Sequence, residues 1–379
     1  MISSWTVAVG WLVAAIWAYL LLARGFFWVA RVAPPAPAPY RWPRIVAVIP
    51  ARNEADAIGR AVGSLLEQDY PGDFSIVLVD DHSNDGTAEI ARAAGRGSED
   101  RLSVVAARAL PGGWTGKLWA LSEGVRQIKA PPELYLFTDA DIAHHRTNLR
   151  ELVARLEAEQ RDLVSLMVKL HCRSFAELFL IPAFVFFFAL LYPFAWSNDP
   201  RRATAAAAGG CILIRRTAYE RIGGYAAIKG ALIDDCVLAR AVKTSGGSIW
   251  LGLTQATESL RPYPQIGDIW NMVARTAFTQ LNYSPLLLAG TALGLIITYL
   301  TPVLLVFAGG KGMLCGLAAW LMMAIAYAPM LRFYGRSLAW APLLPAAASV
   351  YLGATIVSAW RYWRGRGGEW KGRVQWQSR

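Results

Sequence analysis

The stretch Leu134-Tyr135-Leu136-Phe137-Thr138-Asp139-Ala140-Asp141 decides the fold, because an apolar run ends in two aspartates one residue apart. A buried strand of this kind delivers both carboxylates to the carboxyl edge of a sheet, where open α/β folds bind ligands. Oxygen ligands favour Mg²⁺ or Mn²⁺, which take one or two carboxylates together with substrate phosphates. The stretch therefore predicts a metal site at Asp139 and Asp141 that handles a nucleotide. His144 and His145 are further candidates for a third ligand.

Strands and helices alternate on both sides of this stretch. The predicted strands are 44–49, 74–79, 102–105, 134–137 and 163–168, and the predicted helices are 55–68, 86–94, 118–128 and 148–159. Such alternation is typical of an α/β fold with a mostly parallel sheet and helices on both of its faces.

Four uncharged apolar runs are long enough to cross a bilayer: 5–23, 285–308, 313–331 and 338–360. We interpret the first as a retained anchor, and the four arginines that follow it between residues 24 and 44 place the next segment in the cytoplasm. We therefore expect a multi-pass protein of the inner (plasma) membrane. Its predicted parts are an N-terminal anchor 1–33, a cytoplasmic domain 34–263, an interfacial helix 264–284, transmembrane helices 285–360 and a basic tail 361–379.

Two apolar segments need a separate interpretation. If residues 175–196 crossed the membrane, acidic motifs before and after them would lie on opposite sides, so we assign this segment to the membrane interface, interrupted by Pro182 and Pro193. Three full crossings after a cytoplasmic domain would place the basic tail outside, against the charge rule. We therefore predict that one of the last segments is re-entrant, with 338–360 as the candidate.

The formal net charge of +11 comes largely from basic residues beside apolar runs and in the tail, where tryptophans are interleaved. Anionic lipid headgroups explain this pattern better than nucleic acid, because no nucleic-acid-binding motif accompanies the charge. The four cysteines lie far apart and predict neither a zinc site nor a disulfide framework.

Two polar motifs follow the first two strands. Pro50-Ala51-Arg52-Asn53-Glu54 turns from strand into helix, where free amides favour anions, although an ordinary turn has the same composition. Val79-Asp80-Asp81-His82-Ser83-Asn84-Asp85-Gly86-Thr87 crowds three carboxylates into one loop. Helix capping accounts for Asp85. Asp80 and Asp81 need a partner such as a ribose hydroxyl or a base N–H, because adjacent like charges repel.

Two glycine-containing segments leave alternatives open. Pro111-Gly112-Gly113-Trp114-Thr115-Gly116-Lys117-Leu118 lacks the first glycine and the final hydroxyl of a phosphate loop, but Lys117 at a helix start can still contact phosphate. A surface turn fits this segment equally well. Gly209-Gly210 allows either a close approach of backbone to substrate or a strand bend.

Asp234 and Asp235 open a helix further along the chain. They either compensate the helix dipole or supply a general base that takes a proton from an acceptor hydroxyl. Arg275, in a helix expected to lie on the membrane, either holds a leaving diphosphate or reaches lipid phosphate.

Taken in order, Pro50-Ala51-Arg52-Asn53-Glu54, the Asp80-to-Thr87 motif, Thr138-Asp139-Ala140-Asp141 and Asp234-Asp235 resemble family 2 glycosyltransferases. Gly113-Trp114-Thr115-Gly116-Lys117, Gly209-Gly210-Cys211 and Ala274-Arg275-Thr276-Ala277-Phe278 look like the hopanoid-biosynthesis-associated branch of that family. The resemblance implies the nucleotide-diphospho-sugar transferase fold, which is GT-A-like.

The resemblance also implies roles for single residues. Glu54 and Asp81 would contact the nucleoside, Lys117 the phosphates, and Asp139 and Asp141 the ribose and metal-diphosphate region, with Asp235 as the base. The full set of implied substrate-binding residues is Pro50, Arg52, Glu54, Asp81, Lys117, Asp139, Gly210, Asp234 and Arg275. Many relatives carry Gln-x-x-Arg-Trp where this chain has Met272-Val273-Ala274-Arg275-Thr276, which argues against a processive polysaccharide synthase.

The predicted function is inverting, metal-dependent transfer of a sugar from a nucleotide-sugar, a UDP-sugar by preference, to a hydroxyl of a membrane lipid. A hopanoid or related polycyclic lipid is suggested by the resemblance alone. Two alternatives stay open: transfer to a polyprenyl phosphate, which needs no base, and a membrane protein whose domain only binds a nucleotide or scaffolds partners.

Overall fold

The structure is a computed structural model that describes residues 2–370 and 373–374, with side chains for residues 5–368. Its strands are β1 Ile45–Ala51, β2 Phe74–Asp80, β3 Leu102–Ala106, β4 Leu134–Phe137, β5 Ile142–His144, β6 Leu163–Lys169, β7 Ile212–Arg215, β8 Ile249–Ser259, β9 Glu369–Trp370 and β10 Arg373–Val374. Its α-helices are α1 Ile2–Leu22, α2 Ala55–Leu66, α3 Thr87–Ala94, α4 Gly116–Gln127, α5 Asn148–Ala158, α6 Phe175–Leu191, α7 Phe194–Asn198, α8 Arg216–Arg221, α9 Asp234–Thr244, α10 Ile266–Ala274, α11 Ala277–Gln280, α12 Pro285–Leu295, α13 Thr301–Ala308, α14 Met313–Phe333 and α15 Leu344–Trp363. Short 3₁₀ turns cover Gly224–Ile228, Gly310–Gly312 and Leu338–Leu343, and a π-helical turn, Ile296–Leu300, joins α12 to α13.

The predicted α/β fold is confirmed, with a sheet of eight strands in the order β3-β2-β1-β4-β7-β6-β8-β5. Four of its seven strand pairs are parallel and three are antiparallel, so the sheet is mixed rather than mostly parallel. The departure begins at β7, which is antiparallel to both of its neighbours. It reaches the sheet after α6, α7 and a loop instead of through a single crossover helix, so the pattern that dictates parallel pairing stops at β6.

Strand β1 shows why the sheet needs helices on both faces. Ile45, Ala47 and Ile49 pack in one core with α2 and α5, while Val48 on the opposite face packs in another core with residues of α4. All seven residues of β1 are buried, as expected for a central strand with no solvent-facing side. The first turns of α2 and α4 therefore come to lie at the carboxyl end of this strand.

Four long apolar helices match the predicted spans. They cover Trp5–Leu22, Pro285–Ala308, Gly310–Phe333 and Leu338–Trp363, each long and apolar enough to cross a membrane. Helices α1 and α14 pack closely enough that a β-carbon added at Gly10 would lie 2.8 Å from the side chain of Cys315. Small residues at such a contact let two apolar helices approach each other.

Helix α6 stays attached to the α/β domain at both ends. It follows β6 and begins with a capping box, in which Ser174 and Glu177 each bond the backbone of the other. It ends shortly before α7, whose Asn198 accepts a hydrogen bond at 2.7 Å from the backbone N–H of Leu251 in β8. Both ends of α6 therefore lie beside the α/β domain, and its placement at the membrane interface stays a prediction. Contrary to prediction, the helix continues through Pro182, because burial of the surrounding apolar side chains offsets the lost hydrogen bond.

The segment Leu338–Trp363 also begins and ends beside the α/β domain. Just before it, the carbonyl of Phe333 accepts a hydrogen bond at 3.2 Å from the side chain of Gln255 in β8. The segment then rises along α14, where Trp320 donates to the carbonyl of Pro342 at 3.0 Å.

Helix α15 then returns. Near its end, Arg361 donates to the side chain of Asn271 in α10 at 2.8 Å, and Gly368 packs against Leu232. Both ends of the segment thus lie near the α/β domain, and its re-entrant course stays a prediction. The basic tail lies mostly outside the described residues, and of its basic side chains the structure describes Arg361, Arg364 and Arg366.

Candidate active site

A cavity of about 420 Å³ opens at the carboxyl ends of β1 and β4. Seven of the eleven predicted site residues line it: Pro50, Glu54, Lys117, Asp139, Asp141, Asp234 and Arg275. They come from motifs spread over 226 positions of the chain (275 − 50 + 1). These distant motifs meet because β1 pairs in parallel with β2 and β4, and parallel strands present their carboxyl ends on the same edge of the sheet.

The Lys117 cluster is the first of two charged groups in the cavity. Lys117 in the first turn of α4 lies with its Nζ 2.9 Å from Oδ1 of Asp139 and 3.3 Å from Oδ2 of Asp234. Burial by itself lowers the pKa of Lys117, but the neighbouring carboxylates outweigh it and raise that pKa, so the ammonium stays charged. Burial raises the pKa of Asp139, against the pull of Lys117.

Asp235 lies directly behind this cluster. Its Oδ2 accepts a hydrogen bond of 2.9 Å from the backbone N–H of Gly209, and its Oδ1 accepts one of 2.7 Å from the N–H of Cys236. Burial and the adjacent Asp234 raise the pKa of Asp235 to about 6, while Lys117 opposes the shift. A carboxyl with that pKa is ionised at neutral pH and remains basic enough to accept a proton.

The Arg261 cluster is the second charged group, and Arg261 is absent from the predicted site. Its Nε lies 2.7 Å from Oδ2 of Asp141, and its Nη2 lies 2.7 Å from both carboxylate oxygens of Glu54. Arg261 comes two residues after β8, a strand with no counterpart among those predicted. If the sequence analysis had predicted the strand Ile249–Ser259, Arg261 would have been expected at the sheet edge and would have been a candidate site residue.

The first two polar motifs bond each other instead of presenting free amides. The backbone N–H groups of Asn53, Glu54 and Ala55 donate to the side chains of Ser83, Thr87 and Asp85 at 2.9, 2.8 and 3.0 Å. The expected anion site at the start of α2 is therefore occupied by the protein's own oxygens. Asp85 also accepts from the N–H of Thr87 at 3.1 Å, in agreement with the predicted capping role.

Arg52 and Asp81 lie together behind the cavity wall. The Nη1 of Arg52 donates to the carbonyl of Asp81 at 2.5 Å and lies 3.8 Å from its carboxylate. Asp81 is 1% exposed, with His82 on its other side at 3.2 Å. The buried Oδ1 of neighbouring Asp80 accepts no hydrogen bond from any described residue. Neither Arg52 nor Asp81 lines the cavity in this conformation.

Gly210 and the two histidines do not reach the cavity. Gly210 is buried against Val168 and Ile142, and its neighbour Gly209 is the glycine whose added β-carbon would lie 3.1 Å from Nζ of Lys117. His144 is buried with both ring nitrogens bonded, to Thr138 at 2.9 Å and to Asn148 at 3.0 Å. The idea of His144 as a third metal ligand is therefore wrong. His145 is exposed and bonds Thr147.

The cavity's charges fit a divalent cation that the substrate helps to hold. Five carboxylates and three basic side chains line it, an excess of negative charge where an anionic diphosphate would have to bind. Among residues 5–368, no three His, Cys, Asp or Glu side chains are grouped as a ready metal site. Asp139 and Asp141 supply hard oxygen ligands of the kind that Mg²⁺ and Mn²⁺ share with substrate phosphates.

Comparison with known proteins follows from this geometry. The Glycosyl transferase family 2 model matches residues 46–223, which include both polar motifs, Lys117 and the Asp139/Asp141 pair. The matched range runs from β1 to β7, so Asp234, Arg261 and Arg275 reach the cavity from outside it. Asp235, also outside it, does not line the cavity in this conformation.

A curated relative and a solved structure extend the comparison. The chain is 27% identical over 202 residues to 4,4'-diaponeurosporenoate glycosyltransferase of Staphylococcus aureus (strain USA300), a match covering 51% of this chain and 50% of that protein. The chain thus spans about half the length of the curated relatives it matches. A mannosyltransferase of Pyrobaculum calidifontis, solved with GDP-Man and Mn²⁺, is similar with a TM-score of 0.56 and 21% identity over 94% of this chain and 98% of that one. This likeness confirms the GT-A-like fold.

Proposed function

We propose that the protein is a glycosyltransferase that moves a sugar from a nucleotide-sugar to a lipid in the membrane. The observation that carries the proposal is the convergence of Lys117, Asp139, Asp141 and Asp234, with Asp235 directly behind them, at the cavity of a Glycosyl transferase family 2 domain. A bare nucleotide-binding module has no need for a second pair of aspartates outside the matched range.

The donor occupies the part of the cavity between β1 and β4. Glu54, Pro50 and the Arg52–Asp81 pair lie at the carboxyl end of β1 and serve the nucleoside, with UDP as the first candidate from the sequence resemblance. Lys117 contacts the diphosphate, because its ammonium is the basic group beside Asp139. Arg275 on the opposite wall stabilises the departing diphosphate.

Asp139 and Asp141 hold Mg²⁺ or Mn²⁺ together with the donor. Such an ion supplies positive charge against the diphosphate, whose negative charge grows as the sugar leaves. In this conformation Arg261 donates a hydrogen bond to the carboxylate of Asp141. That bond has to break before Asp141 can bind the metal ion.

Asp235 takes the proton from the acceptor hydroxyl as its oxygen attacks the anomeric carbon. The N–H of Gly209 holds Oδ2 of Asp235 in place, and the pKa of about 6 keeps the group ionised at neutral pH. A single displacement without a covalent intermediate inverts the anomeric centre. Asp234 positions Lys117.

The acceptor is a membrane lipid in this proposal. Four apolar helices long enough to span a bilayer are attached to the α/β domain, and α10, which carries Asn271 and Met272 into the cavity wall, packs against the last of them. The resemblance noted in the sequence favours a hopanoid or related polycyclic lipid. The catalytic domain lies on the cytoplasmic face of the inner membrane, with three full crossings and the re-entrant segment Leu338–Trp363.

The test is transfer from radiolabelled nucleotide-sugars to total lipid by the purified full chain with Mn²⁺. We expect label in the lipid fraction, lost when the metal is chelated and lost in Asp235→Asn with donor binding intact. Asp199→Asn, at an exposed ion pair with Arg201, is the matched control.

Two results would change the proposal. Near-normal transfer by Asp235→Asn would favour a polyprenyl phosphate acceptor, since a phosphate needs no base to attack. Absence of turnover with any donor, with retained nucleotide binding, would favour the non-catalytic scaffold.

A further inference from the structure

A second concavity of about 580 Å³ adjoins the catalytic cavity. Its lining includes Arg275, Arg361 and Arg366, together with Asn271, Trp360 and Gly368, and we call it the arginine groove. Three of these residues, Asn271, Arg275 and Gly368, also line the catalytic cavity. A molecule that occupies the groove is therefore in contact with the wall of the catalytic cavity.

Among residues 5–368, whose side chains the structure describes, the arginine groove is lined by basic residues and by no acid. Arg361 donates to the neutral side chain of Asn271 at 2.8 Å, and among the described residues no ion pair joins Arg275, Arg361 or Arg366 to a carboxylate. In the catalytic cavity, by contrast, Arg261 is held by two carboxylates at 2.7 Å. Three arginines that face one space repel each other unless an anion enters it, and guanidinium groups bind phosphate or carboxylate through paired hydrogen bonds.

The arginine groove also lies where the apolar helices end. Trp360 is in the last turn of α15 and is 48% exposed. Tryptophans at the ends of membrane helices sit at the level of the lipid headgroups, with the ring against apolar chains and the N–H towards water. An apolar chain can thus run along α15 while its polar end enters the groove.

We propose that the arginine groove binds the phosphate or carboxylate of an anionic amphiphile that approaches along α15. The inference rests on the proposed function and narrows its substrate class, because the groove and the catalytic cavity share the wall formed by Asn271, Arg275 and Gly368. The acceptor of the sugar is then a lipid with an anionic group near its reacting oxygen.

The test uses the purified full chain in a neutral detergent, with octyl phosphate as the probe and octanol as the uncharged comparison. Calorimetric titration should show saturable binding of octyl phosphate and no saturable binding of octanol. Arg361→Gln and Arg366→Gln should each weaken that binding about tenfold, since each removes one charge from the site. Arg332→Gln is the matched control, because Arg332 is an exposed arginine in the last turn of α14 and does not line the groove.

A transfer assay provides an independent readout. If the groove holds the acceptor equally in the ground and transition states, Arg361→Gln and Arg366→Gln raise the KM for lipid about tenfold and leave kcat within about twofold. A purely structural role would lower kcat or the yield of folded protein instead.

Three results would overturn the inference. One is equal binding of octyl phosphate by all variants. Another is binding of inorganic phosphate as tight as that of octyl phosphate, which would assign the site to a free anion. The third is displacement of octyl phosphate by phosphatidylglycerol in nanodiscs at the same concentration, which would assign the groove to bulk lipid and overturn its assignment to the sugar acceptor. Failure of the proposed function is a separate result. In that case no sugar is transferred from any donor, while Arg361→Gln and Arg366→Gln still weaken the binding of octyl phosphate.

Discussion

Each of the two charged clusters of the catalytic cavity contains one basic side chain that pairs with two carboxylates, but the geometry of the pairing differs. In the Lys117 cluster, a single ammonium lies 2.9 and 3.3 Å from Asp139 and Asp234 and leaves other carboxylate oxygens without a directed bond. In the Arg261 cluster, a planar guanidinium makes three contacts of 2.7 Å to Asp141 and Glu54. An ammonium acts as a point charge, whereas a guanidinium fixes its partners in direction. In the proposed mechanism, the Lys117 cluster therefore needs less rearrangement to receive substrate than the Arg261 cluster, in which Asp141 has to leave Arg261 before it can bind a metal ion.

The largest effect is expected from a substitution of Asp235, the proposed base behind the Lys117 cluster. We expect Asp235→Asn to lower kcat by about 10²–10⁴-fold, the range for loss of a general base. Donor binding should stay within about twofold, measured by equilibrium dialysis with labelled nucleotide. Weakened donor binding equal to the loss of rate would contradict a role as base.

Removing the cation of the Lys117 cluster should have the next largest effect. Lys117→Met leaves Asp139, Asp234 and Asp235 without their neutralising charge, so we expect about 100-fold slower transfer and an upward shift of the pH midpoint by about one unit. A pH–rate profile measures both effects. The exposed Lys129→Met is the control, and an unshifted midpoint would show that Lys117 does not act on the aspartates.

The pH dependence of the native enzyme gives a third test. The pKa of Asp235 is raised to about 6 by burial and by Asp234, and the proposed mechanism requires its ionised form. The rate should therefore be constant above pH 6 and fall about tenfold per unit below it. Asp234→Asn removes one of the causes and should move the midpoint down. A midpoint that stays at pH 6 in this variant would assign the titration to another group.

The Arg261 cluster should respond in the opposite sense. Arg261→Gln frees Asp141, so Mn²⁺ should bind the donor-free protein about three- to tenfold more tightly, as expected from loss of a partly buried competing ion pair. Electron paramagnetic resonance of free Mn²⁺ measures this without turnover. Asp141→Asn should abolish the gain, and unchanged Mn²⁺ affinity in Arg261→Gln would mean that Asp141 is not a ligand.

The smallest effect is expected at the support of the Arg261 loop. The buried carboxylate of Glu177 accepts hydrogen bonds from the N–H groups of Arg173, Ser174 and Tyr263 at 2.8, 2.8 and 2.6 Å. Burial would raise the pKa of Glu177, but these bonds lower it to about 2. Glu177→Gln should reduce Tm by about 3–8 °C, measured in detergent, whereas the exposed Glu220→Gln should not change it.

The sign of the Glu177 contribution sets its pH window. Because the folded pKa lies below the ordinary value of 4.5, the stabilisation is fully present above that pH and is lost as the pH falls towards 2. A Tm difference between Glu177→Gln and the native protein that persists unchanged at pH 3 would contradict this account.

Sequence alone could predict the elements whose signals are local. The apolar spans, the strands before Asp81 and Asp139, and the helix that starts at Asp234 depend on periodicity and on polar residues at strand ends, and the structure contains them. The Lys117 cluster is therefore assembled from predicted residues.

The parts that sequence could not predict depend on contacts between distant residues. Arg261 follows a strand that departs from the helix–strand alternation, and its partners Glu54 and Asp141 lie 207 and 120 positions away. Whether the amides at the start of α2 are free depends on the side chains of Ser83 and Thr87, which belong to another turn. The choice between Gly209 and Gly210 depends on which of two adjacent residues faces inward, and that is fixed by packing against Val168.

The proposed re-entrant course of the segment Leu338–Trp363 bears on how the chain is inserted into the bilayer. If α1, the α12–α13 pair and α14 are the full crossings, the stretch between the latter two that has to be translocated is short, and Lys311 is its only charged residue. The arginines beyond Trp363 never need to pass through the hydrocarbon. Insertion of this half of the protein thus requires no export of a hydrophilic domain, and a helical hairpin can enter from the side on which it was synthesised.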